Sequence, residues 1–176
     1  MKKPISEYKK GKMISVNDKM QKGYKYKLSE DYGKNLHEFF KPQLSPKQIL
    51  EYGAFEGKYM NDCRNEFPKE WFTNAKLSPS KPDISKNYFK IKSRQSLKVW
   101  KQKRWIYGKD VRGWFQWYCR YYIGRRDPEV DMIQIKRHRA FKRHLGQIKK
   151  NCKRGDLSCR PRQRQALLQW GYNPFI

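Results

Sequence analysis

Trp114-Phe115-Gln116-Trp117-Tyr118-Cys119-Arg120-Tyr121-Tyr122-Ile123-Gly124-Arg125-Arg126 carries six aromatic and three arginine side chains. Alternation along a strand would put aromatics on both faces. Helical spacing instead gathers Trp114, Trp117, Tyr118 and Tyr121 on one face and Phe115, Cys119 and Tyr122 on the next, leaving Gln116 and Arg120 outside. The stretch therefore reads as a helix buried on two sides and closed by Gly124. Trp114, Phe115, Trp117 and Tyr121 are expected inside, with Tyr118, Tyr122 and Arg120 forming an edge on which bases can stack.

Downstream, Asp127-Pro128-Glu129 has a cap, a first-turn proline and acids that complement the helix dipole. Val130, Ile133, Arg137, Phe141, Leu145 and Ile148 follow at spacings of three and four, predicting one long amphipathic helix. Its other faces carry Lys136, Arg139, Lys142, Arg143, Lys149 and Lys150. A last short helix from about Pro161 buries Ala166, Leu167 and Trp170 and stops at Gly171.

Upstream, Ser45-Pro46-Lys47-Gln48 is a capping box with proline at the first helical position, and Gly53 limits that helix to a few turns. Pro68, Pro79 and Pro82 imply loops with short elements that carry Trp71, Phe72 and Leu77. Ser93 or Ser96 caps a short helix holding Leu97, Trp100 and Trp105, ended by Gly108. Residues 1–41 hold eleven Lys, no Arg and five acids with no sustained apolar period, and read as a flexible basic arm. The expected fold is mainly α: a single helical domain over 42–176 with an aromatic, Arg-rich core at 111–176, an irregular Pro-containing N-terminal half, and the arm.

The 42 Lys+Arg against 16 Asp+Glu give a formal charge of +26 and a pI near 10.1. Such a surplus points to a polyanion, DNA ahead of RNA, because neutralising phosphates releases condensed counterions. No window reaches the roughly 18 apolar residues of a membrane span, and the start turns polar at once, so no membrane partner is expected. The expected location is intracellular. Cys63, Cys119, Cys152 and Cys159 are too few and too irregular for a secreted disulfide scaffold.

Tyr122-Ile123-Gly124 matches half of the GIY-YIG nuclease signature, and Trp105-Ile106-Tyr107 lies upstream. The first triplet lacks its Gly, and the second ends a helix rather than a strand. The PD-(D/E)xK pattern fails for want of an acid and Lys after Pro82-Asp83. Asp127, Glu129 and Asp131 share one helical turn, where they serve as dipole complements, while hard-metal sites draw carboxylates from separate elements. His138, His144, Cys152 and Cys159 miss the paired spacings of zinc sites. The two cysteines read as free thiols flanking a turn, with a reversible disulfide as the minor option. No catalytic residue, cofactor or metal is assigned.

The positive signal is basic. Thirteen of fourteen Arg fall at or after Arg94, and from Met132 onward twelve Lys+Arg face one acid, Asp156. Arg grips phosphate bidentately where Lys offers a point charge, and Cys159-Arg160-Pro161-Arg162-Gln163-Arg164 places three Arg at a helix N-terminus. The residues expected to contact nucleic acid are Arg120, Arg125, Arg126, Arg139, Arg143, Arg160, Arg162 and Arg164, with Tyr118 and Tyr122 for stacking.

The run from Gly113 to Arg126, followed by Gln134-Ile135-Lys136-Arg137, Arg143-His144 and Cys159-Arg160-Pro161-Arg162-Gln163-Arg164-Gln165-Ala166-Leu167-Leu168-Gln169-Trp170, resembles a family of uncharacterised proteins encoded by large DNA viruses, protists, algae and some bacteria. The resemblance runs from near Ser45 to Tyr172. His138 stands where that family carries Trp. The resemblance implies a viral origin, with work on viral DNA in the host nucleus or cytoplasm or in the virion, and it supplies no activity. The expected function is nucleic-acid binding through phosphates with weak sequence preference. The alternatives are a nucleic-acid-processing enzyme, a glycosylase or nuclease, and a structural component of a virion or ribonucleoprotein particle.

Overall fold

The computed structural model describes residues 2–176. Their order is a β-hairpin, β1 (Met13–Asn17) and β2 (Lys22–Lys27), then α1 (Pro46–Tyr52), α2 (Leu97–Gln102), α3 (Trp114–Ile123), α4 (Pro128–Phe141), α5 (Arg143–Asn151) and α6 (Pro161–Gln169), with short 3-10 turns between. Helical turns make up 41% of the chain beside a two-stranded antiparallel sheet, so the architecture is mixed where a mainly α fold was expected.

The correction lies in the Lys-rich segment. Ile14 and Val16 alternate with exposed Met13, Ser15 and Asn17, and Tyr26 and Leu28 alternate with exposed Lys25 and Lys27. This is the period of a half-buried strand, with the lysines on its wet face. Asp18 makes the turn by accepting from the Met20 and Gln21 amides at 2.7 and 2.9 Å. The segment is tied down rather than flexible: Ser29 and Glu30 amides donate to the Gly124 carbonyl at 2.8 and 3.1 Å, and Gly33 donates to Tyr122 O at 2.8 Å.

At the centre, α3 is buried on all sides but one. Trp114, Phe115, Trp117, Tyr118, Cys119, Tyr121 and Ile123 enter one core with Tyr8, Ile14, Phe40, Phe67 and Trp71. Phe40 meets Trp117, Tyr118 and Tyr121 edge-on with ring centroids 5.3 to 5.4 Å apart, the arrangement favoured by ring quadrupoles. Gln116 and Arg120, expected outside, are fully buried: Gln116 Oε1 accepts from the Arg112 amide at 2.9 Å, and Arg120 lies against Gln21, Tyr24 and Tyr26 of the hairpin. Gly124 ends the helix at φ 121°, and a Cβ there would stand 2.0 Å from the Glu30 carbonyl oxygen.

The long helix expected after Asp127 is two helices. α4 stops at Phe141, Lys142 intervenes at φ −55° and ψ −26°, and α5 begins at Arg143. Its inner face also differs: Ile133 is 40% exposed, whereas Gln134, Ile135 and His138 are buried. The Trp117 indole donates to Asp131 Oδ1 at 2.8 Å, so the first turn of α4 follows α3 instead of the apolar stripe. Burial raises the Asp131 carboxyl, against this hydrogen bond that lowers it. The Ser45 and Gln48 capping box forms as read, while α2 ends at Gln102 and leaves Trp105 in the following loop. No helix among the described residues is long and apolar enough to cross a membrane.

Candidate nucleic-acid interface

The arginines expected to bind divide into two groups. Arg120 is wholly buried: Nε and Nη2 donate to the two Glu66 oxygens at 2.6 and 3.1 Å, Nη1 to Asp110 Oδ1 at 3.1 Å and Lys109 O at 2.8 Å, and Nη2 also to Gln21 Oε1 at 2.8 Å. Arg125 grips Asp110 bidentately at 2.8 and 2.6 Å. Burial works against both charges, but Glu66 for Arg120 and Asp110 for Arg125 hold the guanidinium pKa above its ordinary value. These four side chains form a buried two-plus-two charge cluster that joins the hairpin, the turn at Arg64–Glu66 and α3.

Arg164 is buried as well and donates to four carbonyls, those of Cys159, Pro174, Ile176 and Asp156, at 2.6 to 2.9 Å. It fastens the C-terminal residues to the turn before α6. Half-buried Arg126 lies 3.8 Å from the Tyr121 ring centroid and donates to Tyr121, Arg125, Lys34 and Asn35 carbonyls. Tyr118 is buried with its hydroxyl on Leu44 O at 2.7 Å, and half-buried Tyr122 stands edge-on to Tyr32 at 5.1 Å. Arg120, Arg125, Tyr118 and Arg164 are thus buried and Arg126 and Tyr122 half-buried, engaged by the rest of the chain: the Lys-rich segment covers Arg120, Arg126 and Tyr122, and the C-terminal residues cover Arg164.

Arg139, Arg143, Arg160 and Arg162 are exposed, with Lys136, Lys142, Lys149, Lys150, Lys153 and Arg154 among them. None of these ten has a carboxylate partner; among the described residues only Lys12, Lys47, Arg94, Arg112, Arg120 and Arg125 form ion pairs. A groove of about 700 Å³ runs between the chain at Glu38–Gln43 and α4, with Lys41, Lys136, Arg139 and Lys142 as its cations and Glu38 as its acid. Exposed Phe39 sits under the Arg139 guanidinium at 4.8 Å, a paired aromatic and cation open to a ligand. Phe39 and Lys41 were not legible as site residues, since only the path of the chain brings them to α4.

His138 and Tyr172 floor this groove. Their rings stack at 4.4 Å, and Tyr172 donates its hydroxyl proton to His138 O at 2.6 Å. Burial pushes the imidazole pKa down to about 4 and the phenol up to about 12, so both are neutral near pH 7 and the groove's charge comes from its lysines and arginine. Further along, the side chains of Gln147 on α5 and Gln163 on α6 hydrogen-bond, which sets the start of α6, with Arg160 and Arg162, beside the α5 stripe of Arg143, Gln147 and Lys150.

Cys152 and Cys159 are disulfide-bonded rather than free, their Cα atoms 5.8 Å apart across the turn between α5 and α6. The pair thus pins the loop that carries Lys153 and Arg154. Among the described residues no group of three or more His, Cys, Asp or Glu is placed to hold a metal. No protein-family model, no curated protein and no solved structure matches the chain.

Proposed function

We propose that the chain binds nucleic acid, DNA in preference to RNA, through phosphate contacts along α4, α5 and the start of α6, with weak sequence preference. The supporting observation is the ten exposed cations between Lys136 and Arg162, which share that stretch with a single acid, Asp156. Cations serving only fold stability would be paired, as Arg120 and Arg125 are. Unpaired like charges repel one another, and phosphates relieve that repulsion while releasing counterions. Arg139, Arg143, Arg160 and Arg162 supply the forked donors suited to phosphate, and Phe39 with Arg139 supplies a face for a base. Contacts to phosphate position a protein on nucleic acid without specifying a sequence.

Fluorescence anisotropy at low salt on duplex DNA, single-stranded DNA and RNA tests this reading, and absence of binding to all three refutes it. With about eight phosphate contacts on duplex, log affinity falls against log salt with a slope near −7. Replacing Arg139, Arg143, Arg160 and Arg162 with Gln lowers the slope by roughly 0.9 for each contact removed.

A further inference from the structure

On the opposite side of α4 from the basic groove, Arg137 and Phe141 help to line a cavity of about 280 Å³. Four of the chain's six tryptophans, Trp100, Trp105, Trp114 and Trp170, wall it together with Phe55 and Phe141. Cavities that hold small ligands begin at about this size. The aromatic walls would suit any apolar group, but the polar groups narrow the choice.

All the charged residues lining the cavity are cations, Arg94 and Arg137. Arg94 commits only Nε, to Glu56 Oε2 at 3.3 Å, which leaves its two terminal nitrogens without an intrachain hydrogen bond. Arg137 has no carboxylate partner. Its Nη1 donates to Gln134 Oε1 at 2.8 Å, and its guanidinium lies 5.3 Å from the Trp170 ring centroid. The Trp114 indole N–H is buried with no acceptor at all, and Trp114 is 6% exposed. A buried donor left unpaired is unfavourable, so the Trp114 wall favours a ligand that brings an acceptor.

The wall is also held in an unfavourable backbone conformation. Consecutive non-glycine residues Phe55 and Glu56 both take left-handed φ, at 53° and 55°, a strain that persists only where the surroundings enforce it and that gathers at binding sites. Phe55, Arg94 and Trp100 also line an adjoining compartment whose other cations are Lys19, Lys58 and Arg112. There Asp62 is already engaged by Arg112 at 2.9 Å.

A flat, acceptor-rich ring attached to an anion satisfies each of these features. We infer that the cavity receives one unstacked nucleobase, its faces against the tryptophans and its carbonyl or ring-nitrogen acceptors towards the unpaired donors, with the attached phosphate at Arg94 and Lys19. That the base belongs to a strand rests on the nucleic-acid reading above; the same chemistry is offered by a free nucleotide.

The test compares a fully paired duplex, the same duplex with one extra unpaired base, the same with an abasic bulge, and a nucleoside 5′-monophosphate, by anisotropy and tryptophan quenching. Stacking of one base is worth roughly five- to 150-fold in affinity, so the extra base tightens binding at least fivefold over the abasic bulge and quenches tryptophan. Arg137→Gln and Trp105→Leu each abolish that gain and leave paired-duplex affinity unchanged; the two are read separately, so that misfolding of one leaves the other to decide. Equal affinity for base and abasic bulges, without quenching, overturns the inference. If no duplex binds, the monophosphate decides: saturable quenching, lost in Arg137→Gln, assigns the cavity to free nucleotide, and its absence overturns the cavity assignment, while the nucleic-acid reading falls only when single-stranded DNA and RNA fail to bind as well.

Discussion

Replacing Arg120 with Met separates the structural arginines from those proposed to bind. The side chain is wholly buried and makes five hydrogen bonds, three of them to Glu66 and Asp110. Met fills much of the same volume, so little cavity forms. Glu66, 5% exposed, then keeps only the Tyr26 hydroxyl at 2.7 Å as its side-chain partner, while Asp110 retains Arg125. Breaking a buried pair by removing one partner costs about 3–5 kcal/mol. For a domain of this size each kcal/mol lowers the melting temperature by roughly 2–4 °C, so the expected fall is about 6–20 °C, followed by circular dichroism and urea titration. Adding Glu66→Gln to Arg120→Met recovers part of the loss, because the stranded charge is gone. Arg143→Met, on the exposed face of α5, leaves the melting temperature unchanged and weakens nucleic-acid binding. A variant Arg120→Met that melts within about 2 °C of the parent, on the scale of 2–4 °C per kcal/mol, or that loses DNA affinity at full stability, refutes the assignment of Arg120 to the core.

Three further outcomes follow from the packing. His138 has a folded pKa pushed below its unfolded value of about 6.5 to about 4; the unfolded chain therefore takes up the proton first, and stability falls as pH drops from 6.5 towards 4, by on the order of 3 kcal/mol. His138→Phe, which keeps the ring stack and leaves Tyr172 its bond to the backbone carbonyl, flattens that part of a urea-midpoint profile; an unchanged slope would assign it to other groups. Reducing the Cys152–Cys159 bridge, or replacing both residues with Ser, frees a short loop worth about 2.5 kcal/mol of chain entropy, and should lower the melting temperature while leaving the salt slope of DNA binding in place. Gly124→Ala places a methyl group 2.0 Å from Glu30 O at φ 121° and costs more than about 1 kcal/mol, read as a loss of soluble folded protein or a lower urea midpoint.

Part of the candidate interface is legible in the sequence. Arg139, Arg143 and Arg162 lie on the exposed sides of α4, α5 and α6, and Arg160 precedes α6 at its N-cap. Arg120, Arg125 and Arg164 carry the same expectation of phosphate contact, but their partners, Glu66, Asp110 and the carbonyls of Pro174 and Ile176, are 54, 15, and 10 and 12 positions away. Periodicity has no access to partners of that kind. The tryptophan-walled cavity was equally hidden, since its walls come from α2, α3, α4, α6 and the strained turn at Phe55.

From the sequence alone came the helix starts at Pro46, Pro128 and Pro161, the stops at Gly53 and Gly124, the aromatic α3 as hub and the surplus of positive charge; the helix ends depend on residues within one or two turns of one another. Tertiary structure decided which charges remain on the surface. Lys22–Lys27 looked like a solvated charge run, yet its alternating Tyr24, Tyr26 and Leu28 make it a strand once α3 supplies the apolar face to cover. That docking buries Arg120 beside Glu66, converting a candidate phosphate ligand into a core ion pair. Burial is a property of what lies opposite a residue in space, and only the folded chain sets that.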